Sequence, residues 1–362
     1  MTRPLPLRGI ELSRAFYEEG VRPVLNRAFP GLRHSAALLG SGSEVLGYDD
    51  GRSPDHDWGT RVQLFLSARD HARLARRIAR ALATGLPRTI RGHSTHWFPR
   101  NEHLGTGQPV PAGNGPVSHR AKVTTVRAFF LGHLGFDPSR GVRTADWLAA
   151  PQQRLLTVTA GAVHHDGLGA LAPIRRRLAW YPAPVWRALL AAQWRRIQQE
   201  EPFPGRCAEA GDELGSRVVA ARLVRDLMRL GFLLDRRYAP YSKWLGTAFM
   251  RLPRARRMAG SLRAVLAART WPARERALGR ACRIAARLQN ALRLTKPVPV
   301  SWSRFHRARA RVIHADRFED ALRATLPPGR LRSITSVIGA ADTFADSTDV
   351  LDETRRFRAL RA

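Results

Sequence analysis

A chain of 362 residues with 44% hydrophobic content is long enough for two domains with separate cores, and its two isolated cysteines, Cys207 and Cys282, exclude a disulfide framework or a cysteine-based zinc site. The net charge of +32 comes almost wholly from arginine, 58 of the 61 basic residues, the lysines being Lys122, Lys243 and Lys296; arginine codons are GC-rich, and a surface this positive attracts nucleotides, nucleic acid or other polyanions. No apolar run approaches the roughly 18 residues of a membrane span, and Pro, Arg and Glu interrupt residues 1–16 where a signal peptide needs an apolar stretch, so a reduced, cytoplasmic protein with no membrane partner is expected.

In chain order, residues 8–28 read as a helix with Leu12, Phe16 and Val21 facing inward. A short apolar strand, residues 36–39, runs into Gly40-Ser41-Gly42-Ser43. After a loop, Ser53-Pro-Asp55-His-Asp57-Trp58-Gly59 enters a second strand over residues 60–66. Successive strand side chains point to opposite faces, so Asp55 and Asp57 at i and i+2 are expected to project together. Two adjacent carboxylates raise each other's pKa unless a cation neutralises them, and a hard ion such as Mg²⁺ takes a few carboxylate oxygens and completes its shell with substrate phosphates. Gly40 lets backbone approach a triphosphate, and the Ser41 hydroxyl with nearby turn amides can bind phosphate oxygens. The expected site is thus a phosphate cradle beside a metal clamp.

This pattern resembles the nucleotidyltransferase superfamily of polymerase-beta type, whose signature is an apolar residue, Gly-Ser, a loop and Asp-x-Asp. Gly40-Ser41 precedes Asp55 by residues 42–54; Gly42-Ser43 also fits, but Leu38-Leu39 directly before Gly40 supplies the strand, and Gly-Ser-x-Ser is similar to the family's usual opening. The resemblance implies an α+β fold with a small mixed sheet. It also implies transfer of a nucleoside monophosphate from a nucleoside triphosphate to a hydroxyl acceptor, with Mg²⁺ on Asp55 and Asp57 and the nucleotide on Gly40, Ser41 and Ser43. The acceptor is unspecified: a small molecule, a protein or an RNA end.

Ser67 opens a helix with a capping-box-like Ser67-Ala-Arg-Asp70; Leu74, Ile78 and Leu82 recur at helical spacing, and Gly85 with Pro87 ends it. Residues 99–118, rich in Gly and Pro, read as a loop. Residues 117–130 read as a strand centred on Lys122 leading into a helix that ends near Gly132 to Gly135, and 155–159 and 162–164 as strands closing the sheet. The superfamily usually carries a third carboxylate on the strand where Lys122 stands. Either Glu102 folds in, or Asp166 or Glu44 substitutes, or the site binds nucleotide without turning it over. His164-His165-Asp166 reads as a turn at a strand end rather than a metal site.

From Pro184 the sequence is helical. Trp186, Leu189, Leu190, Trp194 and Ile197 form one apolar stripe, and Leu214, Val218, Ala221, Leu223, Leu227, Leu230 and Leu234 another. Arg237-Tyr238-Ala-Pro-Tyr241-Ser-Lys243-Trp244 is dense in hydrogen-bonding groups and is either a solvated turn or, as in related transferases, a source of nucleotide contacts from Tyr238, Tyr241 and Lys243. Further helices are expected over 277–294 and 304–326. Arg309 and His314 have the R-x4-H spacing of a ribonuclease toxin site, but arginine is frequent enough here for such pairs to arise by chance. Five segments between Gly161 and Trp244 together resemble a bacterial family with a nucleotidyltransferase-like front half and a helical domain of unknown function, over roughly residues 30–255. The expected organisation is an α/β domain over 1–170 and a helical domain over 171–362. A protein of the same fold that binds nucleotide or nucleic acid without catalysis is the alternative.

Overall fold

The structure is a computed structural model and describes residues 7–53, 57–101, 106–306, 310–329, 331–333, 339–347, 350, 351 and 353, with the side chains of 99–101 and 106 excepted. The chain is α+β and divides into two compact units, residues 1–141 with 154–179, and 142–153 with 180–362. The expected boundary at 170/171 therefore falls later, at 179/180, and residues 142–153 belong with the second unit.

The first unit opens with α1 (Gly9–Ala15), a π-helical turn (Phe16–Val21) and α2 (Arg22–Ala28), continuous in direction. Pro23 explains the widened turn: it has no N–H and its ring would clash with the carbonyl four residues back, and the chain adjusts by bonding the Arg22 N–H to the Tyr17 carbonyl. Leu12, Phe16 and Val21 are buried as expected, and Leu25 is buried with them. Then follow β1 (Ser35–Leu38), α3 (Ser43–Leu46), β2 (Arg61–Leu66) and α4 (Ala68–Gly85). The Ser67 hydroxyl accepts the Asp70 N–H at 3.0 Å and donates to the Asp70 carboxylate at 2.7 Å. Ser67→Ala is expected to cost about 1 kcal/mol in a urea titration, the usual worth of an N-cap; a cost near zero would show that packing of Ile78 and Leu82 alone fixes the start of α4.

Two hairpins come next, β3 (Thr89–Ile90) with β4 (His93–Ser94) and β5 (Trp97–Asn101) with β6 (Thr106–Pro109). Residues 99–118 are thus not a plain loop: β6 and the end of β5 lie in them. β7 (Arg120–Thr125) leads into α5 (Val126–Leu134), which ends on left-handed Gly135. The unit closes with β8 (Ala162–Asp166) and α8 (Leu171–Arg177). The sheet order is β7-β2-β1-β8, with β1 antiparallel to both neighbours and β2 parallel to β7.

Between α5 and β8 the chain forms α6 (Thr144–Ala149) and α7 (Gln152–Thr159). Residues 155–159 are therefore helical, not a strand. Leu155 and Val158 are both fully buried at helical spacing, and the Thr159 hydroxyl, which has no strand neighbour to bond, is satisfied within the helix by the Leu155 carbonyl at 2.7 Å.

The second unit contains α9 (Ala183–Glu200), α10 (Phe203–Glu209), α11 (Glu213–Leu234), α12 (Ser242–Met250), α13 (Ala259–Ala267) and α14 (Trp271–Ala291). The stripe from Trp186 to Ile197 is buried throughout. On α11 the burial begins later than expected: Leu223, Leu227, Leu230 and Leu234 are inside, but Leu214 and Val218 are 75% and 53% exposed. The first turns of α11 face inward through polar groups instead, because buried Arg274 donates to Glu213 at 2.7 Å and to the Ser216 hydroxyl at 3.0 Å. Residues 304–326 are not one helix. A short hairpin, β9 (Ser303–Arg304) and β10 (Arg311–Val312), precedes α15 (Asp316–Ala324), and the Glu201 carboxylate ties down the intervening turn, with His314 at φ +56°, by accepting the Ile313 and Ala315 N–H groups. A further short helix, α16 (Ala341–Phe344), follows.

Candidate functional site

β1 ends at Leu38, and the next residue is bracketed by one side chain: Gln63 accepts the Leu39 N–H at 2.9 Å and donates to its carbonyl at 3.0 Å. Gly40 then turns with φ +91°, donating to the Thr157 carbonyl at 2.8 Å, and a Cβ there would lie 2.8 Å from His133 Nε2. Gly42 has φ +138°, and its missing side chain leaves room for Arg61 and Glu44. These two glycines are needed for conformation and for space. The N–H groups of Ser41, Gly42 and Ser43 have no acceptor among the described residues.

Arg61, the first residue of β2, donates to the Ser41 carbonyl at 2.6 Å and forms a tight ion pair with buried Glu44. Its register partner on β7 is Arg120. Arg120 lies 3.9 Å from the Asp57 carboxylate, whose Oδ1 also accepts the Gly107 N–H at 3.0 Å while the Asp57 N–H donates to the Gly107 carbonyl at 2.8 Å. Asp57 has φ +51° and sits in a bend before β2. The expected same-face strand pair is therefore corrected at this residue: the strand starts at Arg61, and Asp57 closes the loop onto β6 through a left-handed conformation that aspartate tolerates. Asp55 and Glu102 lie outside the described residues. The Gly-Ser turn and Asp57 are nonetheless gathered at one end of the sheet, each tied to one of two neighbouring arginines on strands about 4.8 Å apart.

Of the acids that could stand in for a third carboxylate, the two among the described residues, Glu44 and Asp166, are both engaged. Glu44 is taken by Arg61. Burial pushes the Asp166 carboxyl up, but hydrogen bonds from the Ala172 N–H, the Ser35 hydroxyl and the Leu171 N–H outweigh it and hold it below its ordinary value. Lys122 stands opposite Gln63 on β7. Among the described residues no three His, Cys, Asp or Glu side chains are grouped to hold a metal ion.

His164 and His165 lie in β8, within a strand rather than a turn, and both rings stack on Tyr17. The Ser13 hydroxyl donates to the Arg61 carbonyl at 2.7 Å, so toward His164 Nε2 at 3.0 Å it must accept. His164 is therefore the neutral Nε2–H tautomer, and its buried Nδ1 has no hydrogen-bond partner among the described residues. Burial, with the nearby positive Arg14, pushes its pKa down from 6.5 to about 4. The unfolded chain binds a proton on this residue as pH falls below about 6.5 while the folded chain refuses it until about 4, so stability is full above this window and is lost through it. The loss expected between pH 7 and 4 is on the order of 3 kcal/mol. Urea titrations should find His164→Gln losing less stability than the parent over this range; parallel slopes would place the titration elsewhere.

Tyr241 and Lys243 belong to the second unit. Tyr241 immediately precedes α12, and the Lys243 ammonium lies over the Trp244 ring at 5.1 Å. Tyr238 is buried against Trp180 and Tyr181, which raises its pKa. Arg309 lies outside the described residues, and His314 Nε2 is 2.7 Å from the Ser303 hydroxyl. Sequence reasoning missed Arg61, Gln63, Arg120 and His133. Gln63 was the visible signal, a polar residue in the middle of the apolar run Arg61–Leu66.

Residues 147–245 match a domain of unknown function, DUF4037. The match begins in α6 and ends in α12, so it includes Tyr241 and Lys243 and leaves out the Gly-Ser turn and Asp57. No curated protein and no solved structure matches the chain. Among the described residues no helix is long and apolar enough to cross a membrane.

Proposed function

We propose that the chain is a nucleotidyltransferase that moves a nucleoside monophosphate from a nucleoside triphosphate to a hydroxyl acceptor at the Gly40–Ser43 turn. One observation carries this reading: the turn and Asp57 are held at the same end of the sheet by Arg61 and Arg120, which are register partners. The open N–H groups of residues 41–43 and the two guanidinium groups are suited to phosphate oxygens. The order of strand, Gly-Ser turn, Asp-bearing loop, antiparallel strand and helix is that of the superfamily the sequence resembles.

The resemblance implies magnesium, and the chemistry of Asp57 fits it. Its carboxylate is 36% exposed, its Oδ2 has no hydrogen bond among the described residues, and an ion of this kind needs only one or two protein carboxylates. Asp57, with Asp55, would hold the ion, which when bound neutralises charge on the triphosphate. Arg61 fixes the turn, the turn amides position the phosphates, and Arg120 adds positive charge beside them.

A second reading, nucleotide binding without transfer, is favoured by the engagement of Glu44 and Asp166, the two described candidates for a third carboxylate, by Arg61 and Ser35. Both readings are tested by incubating the chain with Mg²⁺ and labelled ATP, GTP, CTP or UTP. Pyrophosphate release supports transfer, Mg²⁺-dependent affinity without product supports binding alone, and neither outcome removes both.

A further inference from the structure

The second unit carries a chain segment whose charge is opposite to that of the rest of the protein. Residues 342–353 hold five acids, Asp342, Asp346, Asp349, Asp352 and Glu353, and no base, within a chain of 61 basic and 29 acidic residues. Residues 342–347 of the segment lie against α11, where Arg225 and Arg229 are one turn apart and present two like charges on one face. Asp346 pairs with Arg225 at 2.8 Å, and the Arg229 guanidinium donates to the Asp342 carbonyl. The Asp342 carboxylate accepts the Gln152 N–H at 2.8 Å, and Ala341 and Leu351 pack on Ala149. Between the segment and the unit remains a cavity of about 20 Å³ lined by both arginines, both aspartates, Tyr241 and Gln152, room for little more than one water.

Two guanidinium groups at helical spacing, beside a tyrosine at a helix start, are a fork for phosphate oxygens. The Asp346 carboxylate meets Arg225 directly, and Asp342 meets Arg229 through its backbone carbonyl. We propose that residues 340–347 form an acidic strap occupying a phosphate-binding site made by Arg225, Arg229 and Tyr241, and that a phosphate-bearing ligand takes this site by displacing the strap. Burial lowers the pKa of Arg229, with Asp342 the largest opposing influence, so the charge of the strap offsets part of the cost of enclosing that guanidinium.

The test compares the full chain with Asp342→Asn/Asp346→Asn, in which the amide oxygen still accepts the Gln152 N–H while both charges are gone. The probe is inorganic tripolyphosphate, titrated calorimetrically at fixed salt, with single-stranded oligouridylate as a second arm. The double variant is expected to bind at least one probe about tenfold more tightly than the parent, and Arg225→Gln added to it should remove the gain. A gain with tripolyphosphate identifies a free polyphosphate as the ligand, and a gain with oligouridylate alone a nucleic-acid backbone. Binding at the Gly40–Ser43 turn is common to all three proteins and cancels in the comparison. Equal affinities, or a gain that survives Arg225→Gln, overturn the proposal. Hydrogen exchange on the unsubstituted chain needs no variant to fold: residues 339–347 should exchange faster when a probe is saturating, and an unchanged rate with both probes overturns the proposal.

Discussion

Asp57→Asn is expected to lower pyrophosphate release by about 10²–10³-fold, the scale of losing several kcal/mol of charge stabilisation at a phosphoryl-transfer site. Stability should scarcely move. The asparagine side chain still offers an oxygen to the Gly107 N–H, and the ion pair it gives up, 3.9 Å long with partners 40% and 36% exposed, is of a kind worth about 0–1 kcal/mol. Asp50→Asn is the matched control. Asp50 is also a loop aspartate, but its carboxylate is spent on the Arg52 N–H at 2.9 Å and on Ser53, within its own turn. If the Asp57→Asn variant turns over as fast as the parent, the chemistry lies elsewhere, and the convergence at the sheet end is purely architectural.

What could be foreseen in this site was what is local in the sequence. The Ser67 cap, the spacing of Ile78 and Leu82 and the Gly-Ser bend after an apolar run each depend on residues within a turn or two of one another, and the structure bears all three out. The hairpin of β5 and β6 was hidden because its signals are distant: the Asp57 N–H donates to the Gly107 carbonyl and the Asp57 carboxylate accepts the Gly107 N–H across fifty positions, and the Trp97 N–H donates to the Ser118 carbonyl. α7 was misread because Leu-Leu-Thr-Val-Thr has strand composition, while the deciding fact, that Leu155 and Val158 share one buried face, requires knowing what they pack on. Charge was the least legible quantity. With 58 arginines in the chain, nothing local tells that Arg61 neutralises Glu44 while Arg120, its register partner, reaches Asp57. Those assignments follow from strand register, which is set by the whole sheet.

Gly161→Ala is expected to destabilise the protein by about 3–5 kcal/mol, a large share of the roughly 5–15 kcal/mol that holds a domain folded. Gly169→Ala, at the same φ of +68°, should cost only about 1 kcal/mol. Backbone strain is common to both positions, so the difference measures space. Around Gly169 nothing lies within 4 Å of an added Cβ, whereas at Gly161 that atom would stand 2.1 Å from the Leu38 carbonyl oxygen. Neither backbone can step aside. Leu38 pairs with Ala162, the Gly161 N–H is bonded to the Val45 carbonyl at 2.9 Å, and its own carbonyl accepts from Arg175 at 3.2 Å. One residue beyond Leu38, Gln63 clamps Leu39, and the Gly40–Ser43 turn begins there. Relief of the clash must therefore move either β8 or the turn itself, and nucleotide affinity should fall with stability in the alanine variant at 161 but not at 169. Urea titration of the two variants beside the parent reads the first effect, and nucleotide titration reads the second. Equal costs at the two glycines would mean that β8 does not approach the end of β1 as closely as described, and the turn would lose the neighbour that fixes its position.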